Sequence, residues 1–121
     1  MATQSDRDLI VWQKAMNVVI ECNRATEAFP KSEVDGLAEQ LQHTAVSIPA
    51  HIADDHGRHH LNERLHHLSI ANGSLLEVET HLLMAGRLSY LDPTACDALL
   101  AKTGEIDCPL SGLAGALRRK S

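Results

Sequence analysis

Apolar residues recur at helical spacing in four stretches of the chain. The first stretch carries two apolar stripes between Asp8 and Ala28, one that starts at Leu9 and one that starts at Val11. Together they are wider than a single coiled-coil seam, so the helix must meet more than one neighbour. Pro30 ends the pattern, because a proline pushes the residue before it out of the helical region. We therefore predict a first helix over 8–28.

A second stretch follows Ser32, a residue type that caps helix N-termini, and continues to Ile52. Pro49 falls inside this stretch and removes one backbone donor. The apolar spacing passes through Pro49 without a change of phase, which favours one kinked helix over two short ones. The predicted second helix covers 33–54, with its kink at Pro49.

Two further helices are predicted at 60–86 and 93–120, the last one opened by Asp92 as N-cap and Pro93 at the first helical position. The connections between the four segments are short, about 3 to 6 residues. Such spacing predicts an all-α fold, a single-domain antiparallel up-down-up-down four-helix bundle over 1–121.

Composition supports this fold class. The chain has 17 Leu and 15 Ala but one Trp, one Tyr and one Phe, which disfavours strands and base-stacking surfaces. Its formal charge of −5 disfavours a general attraction to phosphate backbones. Neither a secretory leader nor an apolar run long enough to span a membrane is visible, so we predict a cytoplasmic protein with no membrane contact and no cofactor.

The segment from Asp54 to His67 concentrates histidines and carboxylates. On a helix His60, Glu63 and His67 fall at i, i+3 and i+7 and share one face, a combination that suits transition metals. The candidate ligands are His56, His60, Glu63 and His67. The alternative interpretation is a solvated helix start with a capping glutamate, and both stay open.

Catalytic and basic candidates are few. Ser47 has histidines one turn to either side, but a helix interior lacks the sharp turn and oxyanion site of a serine hydrolase, so we predict no enzymatic activity. The basic residues considered for nucleic-acid contact are Arg58, Arg118, Arg119 and Lys120. The last three also fit ordinary compensation of a helix dipole.

Several motifs stand in the order and spacing of a known family. They are DLIVWQKAM at 8–16, FPKSE at 29–33, GLAEQL at 36–41, AVSIP at 45–49, IANGSL at 70–75 and EVET at 77–80. This pattern resembles the bacterial four-helix-bundle proteins named after the 23S ribosomal RNA intervening sequence, over about 8–90.

The resemblance implies a homopentameric ring and no established reaction. It also implies distant relatives that serve as nucleic-acid-binding accessories of a reverse transcriptase in diversity-generating retroelements. From it we predict a non-enzymatic homo-oligomeric scaffold that binds nucleic acid or a nucleic-acid enzyme. Gln42 and His43 replace basic residues usual in the family, which weakens the nucleic-acid expectation. The predicted oligomer or partner surface comprises Trp12, Ser47, Pro49, His51 and Asp54.

The alternative function is a metal-binding or pH-responsive assembly built on the histidine-rich segment 56–67. Imidazole side chains bind transition metals and change charge near neutral pH. Repetition of the segment around a ring axis would build a circle of histidines. Oligomer mass measured with and without metal separates this alternative from the scaffold interpretation.

Overall fold

Four helices account for nearly all of the described chain. The computed structural model describes the backbone at 4–56 and 60–120, and the side chains at 8–55 and 60–119. Within these ranges no strand occurs, which confirms the all-α class. The elements are α1 (Gln4–Thr26), a 3-10 turn (Lys31–Glu33), α2 (Leu37–His56), α3 (Leu61–Arg87) and α4 (Pro93–Lys120).

The second helix begins later than its sequence predicts. After Pro30 the chain forms the 3-10 turn, in which the Glu33 amide donates to the Pro30 carbonyl at 2.9 Å. α2 then starts at Leu37, and the Gly36 carbonyl accepts from the Gln40 amide at 3.0 Å. The predicted start at 33 behind Ser32 is therefore wrong, because a separate turn of tighter helix intervenes.

Pro49 lies within α2, and the helix continues to His56. The single second helix is thus present, whereas its kink stays a prediction. Pro49 itself is buried. A proline in this place leaves the carbonyl one turn earlier without its usual amide partner.

The connection from α3 to α4 follows the predicted chemistry. The Thr94 amide donates to Asp92 Oδ2 at 3.1 Å, so Asp92 caps α4 as expected, with Pro93 at the first helical position. Just before it, Ser89 adopts a φ of 62° while the Tyr90 amide donates to the Ala85 carbonyl at 2.9 Å. Together these features form a helix C-terminal cap with one residue in the left-handed conformation, a position that glycine usually occupies.

The helices pack as a four-helix bundle around one apolar core. α1 packs against α2 and α4, and α3 packs against the same two helices, whereas the backbones of α1 and α3 do not approach each other among the described residues. α1 and α3 are therefore diagonally opposite. The largest fully buried apolar side chains are Leu41, Ile48, Ile52, Leu68, Leu75, Leu82, Ile106 and Leu110.

Candidate functional site

Polar side chains line the contact between α2 and α3, which we call the α2–α3 seam. The Ser74 hydroxyl donates to Ser47 Oγ at 2.9 Å near the middle of both helices. Helical spacing places His51 and Asp55 one and two turns beyond Ser47 on the same side of α2. The seam therefore carries its polar groups in a row, defined as Ser47, His51, Asp54, Asp55, Arg64, His67 and Ser74.

Two histidines face each other in the seam. Nδ1 of His51 lies 3.0 Å from Nδ1 of His67, the ring centroids are 5.3 Å apart, and the ring planes are inclined by 28°. The rings therefore meet edge to edge, with their Nδ1 atoms pointing at each other. A hydrogen bond between these atoms requires Nδ1–H on one ring and an unprotonated Nδ1 on the other. His66 contacts the edge of the His67 ring at 5.9 Å. Both paired histidines are half-buried.

Asp54 completes a three-residue group with this pair. It follows His51 by three positions on α2, and one ligand atom from each of His51, Asp54 and His67 lies within 4.8 Å of the other two. Asp54 is exposed and each histidine is half-buried, so the group opens to solvent on one side. Two imidazoles and a carboxylate are a donor set for divalent transition metals.

The metal ligands predicted from sequence need correction. Of those with described side chains, His67 belongs to the group, whereas His60 and Glu63 are exposed and lie outside it. His60 precedes α3, which begins at Leu61, so it does not continue the helical spacing. The side chain of His56 lies outside the described residues.

The sequence pattern did not predict that His51 and Asp54 of α2 belong to this group. It predicts both residues as part of an oligomer or partner surface. A signal was available, since His51 and His67 stand eight positions before and after residue 59 in the connection between α2 and α3. In two neighbouring helices joined by a short turn, residues equally distant from the turn meet.

An ion-pair cluster holds the seam at the end next to the α2–α3 connection. Arg64 Nε lies 3.0 Å from Asp55 Oδ1, and Arg64 Nη2 lies 3.9 Å from Oδ2 of Asp8 on α1. The Asp55 side chain is 1% exposed. Arg64 thus ties three helices together at one end of the bundle.

The predicted partner surface does not form one patch. Trp12 is half-buried and packs against the core, on a helix that contacts α2 and α4. Pro49 is buried, so its assignment to a surface is corrected to the interior. Ser47, His51 and Asp54 lie in the seam facing α3.

Exposed apolar residues concentrate on two helices. We define the α1 strip as Leu9, Met16 and Ile20, which are between 36% and 53% exposed and share the outer face of α1 by their i, i+7 and i+11 spacing. The α3 strip lies on the second half of α3 and the C-cap residue that follows it. Its members are Leu76, Leu83, Met84 and Leu88, between 46% and 54% exposed.

The basic residues considered for nucleic-acid contact are partly described. Arg118 and Arg119 are exposed in the last turn of α4. Arg118 shares a shallow groove with Leu65 near the start of α3. The side chains of Arg58 and Lys120 lie outside the described residues.

Cys22 and Glu79 are among the titratable groups outside the seam that have raised pKa values. Burial, followed by the charge of Glu21, raises the pKa of the Cys22 thiol to about 12, so this thiol stays protonated near neutral pH. Glu79 accepts from the Thr103 hydroxyl at 2.9 Å. Its pKa is raised, first by burial and then by the nearby Asp107 carboxylate, while the Thr103 bond opposes the shift.

Comparison with known proteins decides the family. The family model described as 23S rRNA-intervening sequence protein matches residues 7–112. The chain belongs to this family. The resemblance seen in the sequence motifs is thereby confirmed, and the match extends into α4, which the motifs did not cover.

A solved structure shares the fold of this family member. It is a crystal structure, from Bacteroides thetaiotaomicron, of a protein with unknown function from the S23 ribosomal protein family. It superposes with a TM-score of 0.82 at 18% identity, covering 90% of this chain and 98% of the other. No curated protein matches the chain. Among the described helices, none is long and apolar enough to cross a membrane.

Proposed function

We propose that this family member is a non-enzymatic, cytoplasmic, homo-oligomeric scaffold whose copies associate head to tail into a ring. The observation that carries the proposal is the pair of exposed apolar strips on diagonally opposite helices. Seven exposed apolar side chains are grouped on two helices instead of being scattered singly, and grouped apolar exposure is typical of an interaction surface. The strips supply two different faces to each copy.

Two faces favour a ring over a two-fold dimer. A two-fold interface uses one self-complementary patch, whereas a head-to-tail interface joins two different patches and closes into a ring when the rotation allows it. The α1 strip and the α3 strip lie on helices that do not pack against each other, so one copy cannot bury the two strips against each other. The family resemblance supplies five as the number of copies.

Antiparallel helices are part of the same proposal. Contacts in the seam pair Ser47 with Ser74 and His51 with His67, so later residues of α2 meet earlier residues of α3. This order supports the up-down-up-down topology.

The test uses one charge in each strip. Met16→Asp removes the α1 face and Leu83→Asp removes the α3 face, so each variant alone is expected to elute as a monomer in size exclusion with light scattering. An equimolar mixture is expected to form heterodimers, because each variant keeps the face that the other lacks. Val34→Asp, at an exposed apolar residue between α1 and α2, is the matched control and should leave the ring intact.

Two results would contradict this arrangement. Variants that remain monomeric after mixing would show that the strips do not bind each other. A wild-type chain that is monomeric at micromolar concentration would remove the scaffold proposal altogether. Native mass spectrometry of the wild type counts the copies and tests five against other ring sizes.

Nucleic acid is the partner class that the family description suggests, since it names a ribosomal RNA element. In a ring, the exposed ends of α4 with Arg118 and Arg119 would repeat around the axis and add positive charge against the overall −5. We expect a gel shift with RNA that weakens with salt and is lost in Arg118→Gln/Arg119→Gln. Absence of any shift at low salt would leave a protein, such as a nucleic-acid enzyme, as the partner.

A further inference from the structure

We propose that the α2–α3 seam is a binding site for a divalent transition metal of the Zn²⁺ type, with His51, Asp54 and His67 as ligands. The site is independent of the proposed ring, because all three ligands belong to one copy. It differs from the set predicted from sequence in two of its three residues. Two neutral imidazoles and one carboxylate match the donor preference of zinc and its first-row neighbours.

The distances fit such a metal after a small adjustment. Zinc binds histidine nitrogen at about 2.0–2.1 Å, so two histidine ligands at a tetrahedral angle lie roughly 3.4 Å apart. Nδ1 of His51 and Nδ1 of His67 lie 3.0 Å apart, and the three ligand atoms lie within 4.8 Å of one another. Widening this separation by a few tenths of an ångström, tilting both rings so that their Nδ1 lone pairs converge, and rotating the exposed Asp54 side chain would bring all three donors to one ion.

Side-chain contacts on both sides of the site hold the two helices in position. Asp55 and Arg64 join them at one end, and Ser47 and Ser74 join them one turn before His51. His51 and Asp54 lie on the same face of α2 because they are three residues apart. The metal therefore meets ligands that need little ordering, and a fourth position stays open to water or a small ligand on the exposed side.

Protons compete with the metal for the same atoms. Binding through both Nδ1 atoms needs both rings neutral with the proton on Nε2, so the ring that now donates through Nδ1 must change tautomer. Among the described residues, Asp54 on α2 and His66 on α3 are the titratable side chains that the structure places against the pair.

Zinc titration of the full chain tests the proposal. Isothermal titration with ZnCl₂ at pH 7.5 is expected to show one site per copy with micromolar or tighter affinity. His51→Gln and His67→Gln should each weaken it by on the order of 100-fold, and Asp54→Asn by about 10-fold, since each removes one donor. His66→Gln is the matched control for His67, and His43→Gln for His51, and both should keep wild-type affinity.

Further readouts separate a built site from scattered surface histidines. Co²⁺ should give the intense visible absorption of a four-coordinate nitrogen and oxygen site, and this band should vanish in His51→Gln. Circular dichroism melts establish that each variant folds; should His67→Gln unfold, the His51 and Asp54 variants still decide the outcome. Equal loss of affinity in His66→Gln, or no saturable zinc binding in the wild type, would overturn the proposal and leave a hydrogen-bonded histidine pair.

Discussion

Ion pairs are buried to different degrees in the α2–α3 seam and on the opposite side of the bundle, between α1 and α4. In the seam, Arg64 meets Asp55 at 3.0 Å and the carboxylate is almost fully buried. Between α1 and α4, Lys102 meets Glu21 at 3.8 Å with the two side chains 46% and 33% exposed, beside an open groove of about 340 Å³. The buried ion pair holds Arg64 and Asp55 in one arrangement, whereas Lys102 and Glu21 remain in contact with solvent.

This contrast shows where polar groups matter. Buried polar atoms must find partners inside the protein, so the seam allows few alternatives of register. Exposed charges can return to water at little cost, so the α1–α4 side tolerates change. Substitutions in the seam should therefore lower the free energy of unfolding more than substitutions on the α1–α4 side.

Loss of Arg64 should break the seam. Arg64→Ala removes a counter-ion from the buried Asp55 carboxylate and should lower the free energy of unfolding by about 3 kcal/mol in urea denaturation. Lys102→Ala, on the opposite side, should cost less than about 0.5 kcal/mol. Adding Asp55→Asn to Arg64→Ala should restore part of the loss; equal effects at Arg64 and Lys102 would refute the contrast.

The same substitution should have opposite signs in the two places. Ala71 is fully buried in α3, and Ala71→Leu should overpack the core and cost about 1–3 kcal/mol. Ala98 is exposed and lines a second open groove between α1 and α4, so Ala98→Leu should be neutral or stabilise by up to about 0.8 kcal/mol. Thermal melts of the pair test this, and a destabilised Ala98→Leu would show that the groove is closed in solution.

The serine pair should contribute a smaller amount. Ser74→Ala removes the donor to Ser47 and should cost about 1 kcal/mol. Ser69→Ala, at an exposed position of the same helix, is the control and should stabilise slightly because alanine favours helices. If both variants stabilise the protein equally in chemical denaturation, the hydrogen bond contributes nothing.

The weakest effect is expected at Glu79, between α3 and α4. A raised pKa means that the folded state holds the Glu79 proton more tightly than the unfolded state. The stability from this residue is full below the unfolded pKa and is lost as pH rises through the folded pKa. Glu79→Gln should therefore stabilise at pH 7 by no more than about 0.5 kcal/mol, and by less at pH 4. If Glu79→Gln instead stabilised the protein more at pH 4 than at pH 7, the pKa of Glu79 would be lowered in the folded state, contrary to this prediction.

Local signals predicted part of this structure well. Asp92 and Pro93 open α4 because the cap and the fixed proline φ act within a few residues. The helix start predicted behind Ser32 was wrong, because Ser32 belongs to the 3-10 turn that precedes α2. His67 is a metal candidate in the sequence, but its predicted partners all lie within the 11 positions before it, where helical spacing is visible along the chain.

Periodicity alone determined that this chain forms four apolar-faced helices, because helical spacing is a property of neighbouring residues. The broad apolar face of α1 also signalled contacts beyond one partner. Tertiary structure alone decided that His51 and Asp54 meet His67, and that the α1 and α3 strips lie on opposite corners. These relations depend on which helices pack together and in which register, and residues far apart in sequence settle them jointly through burial of the core.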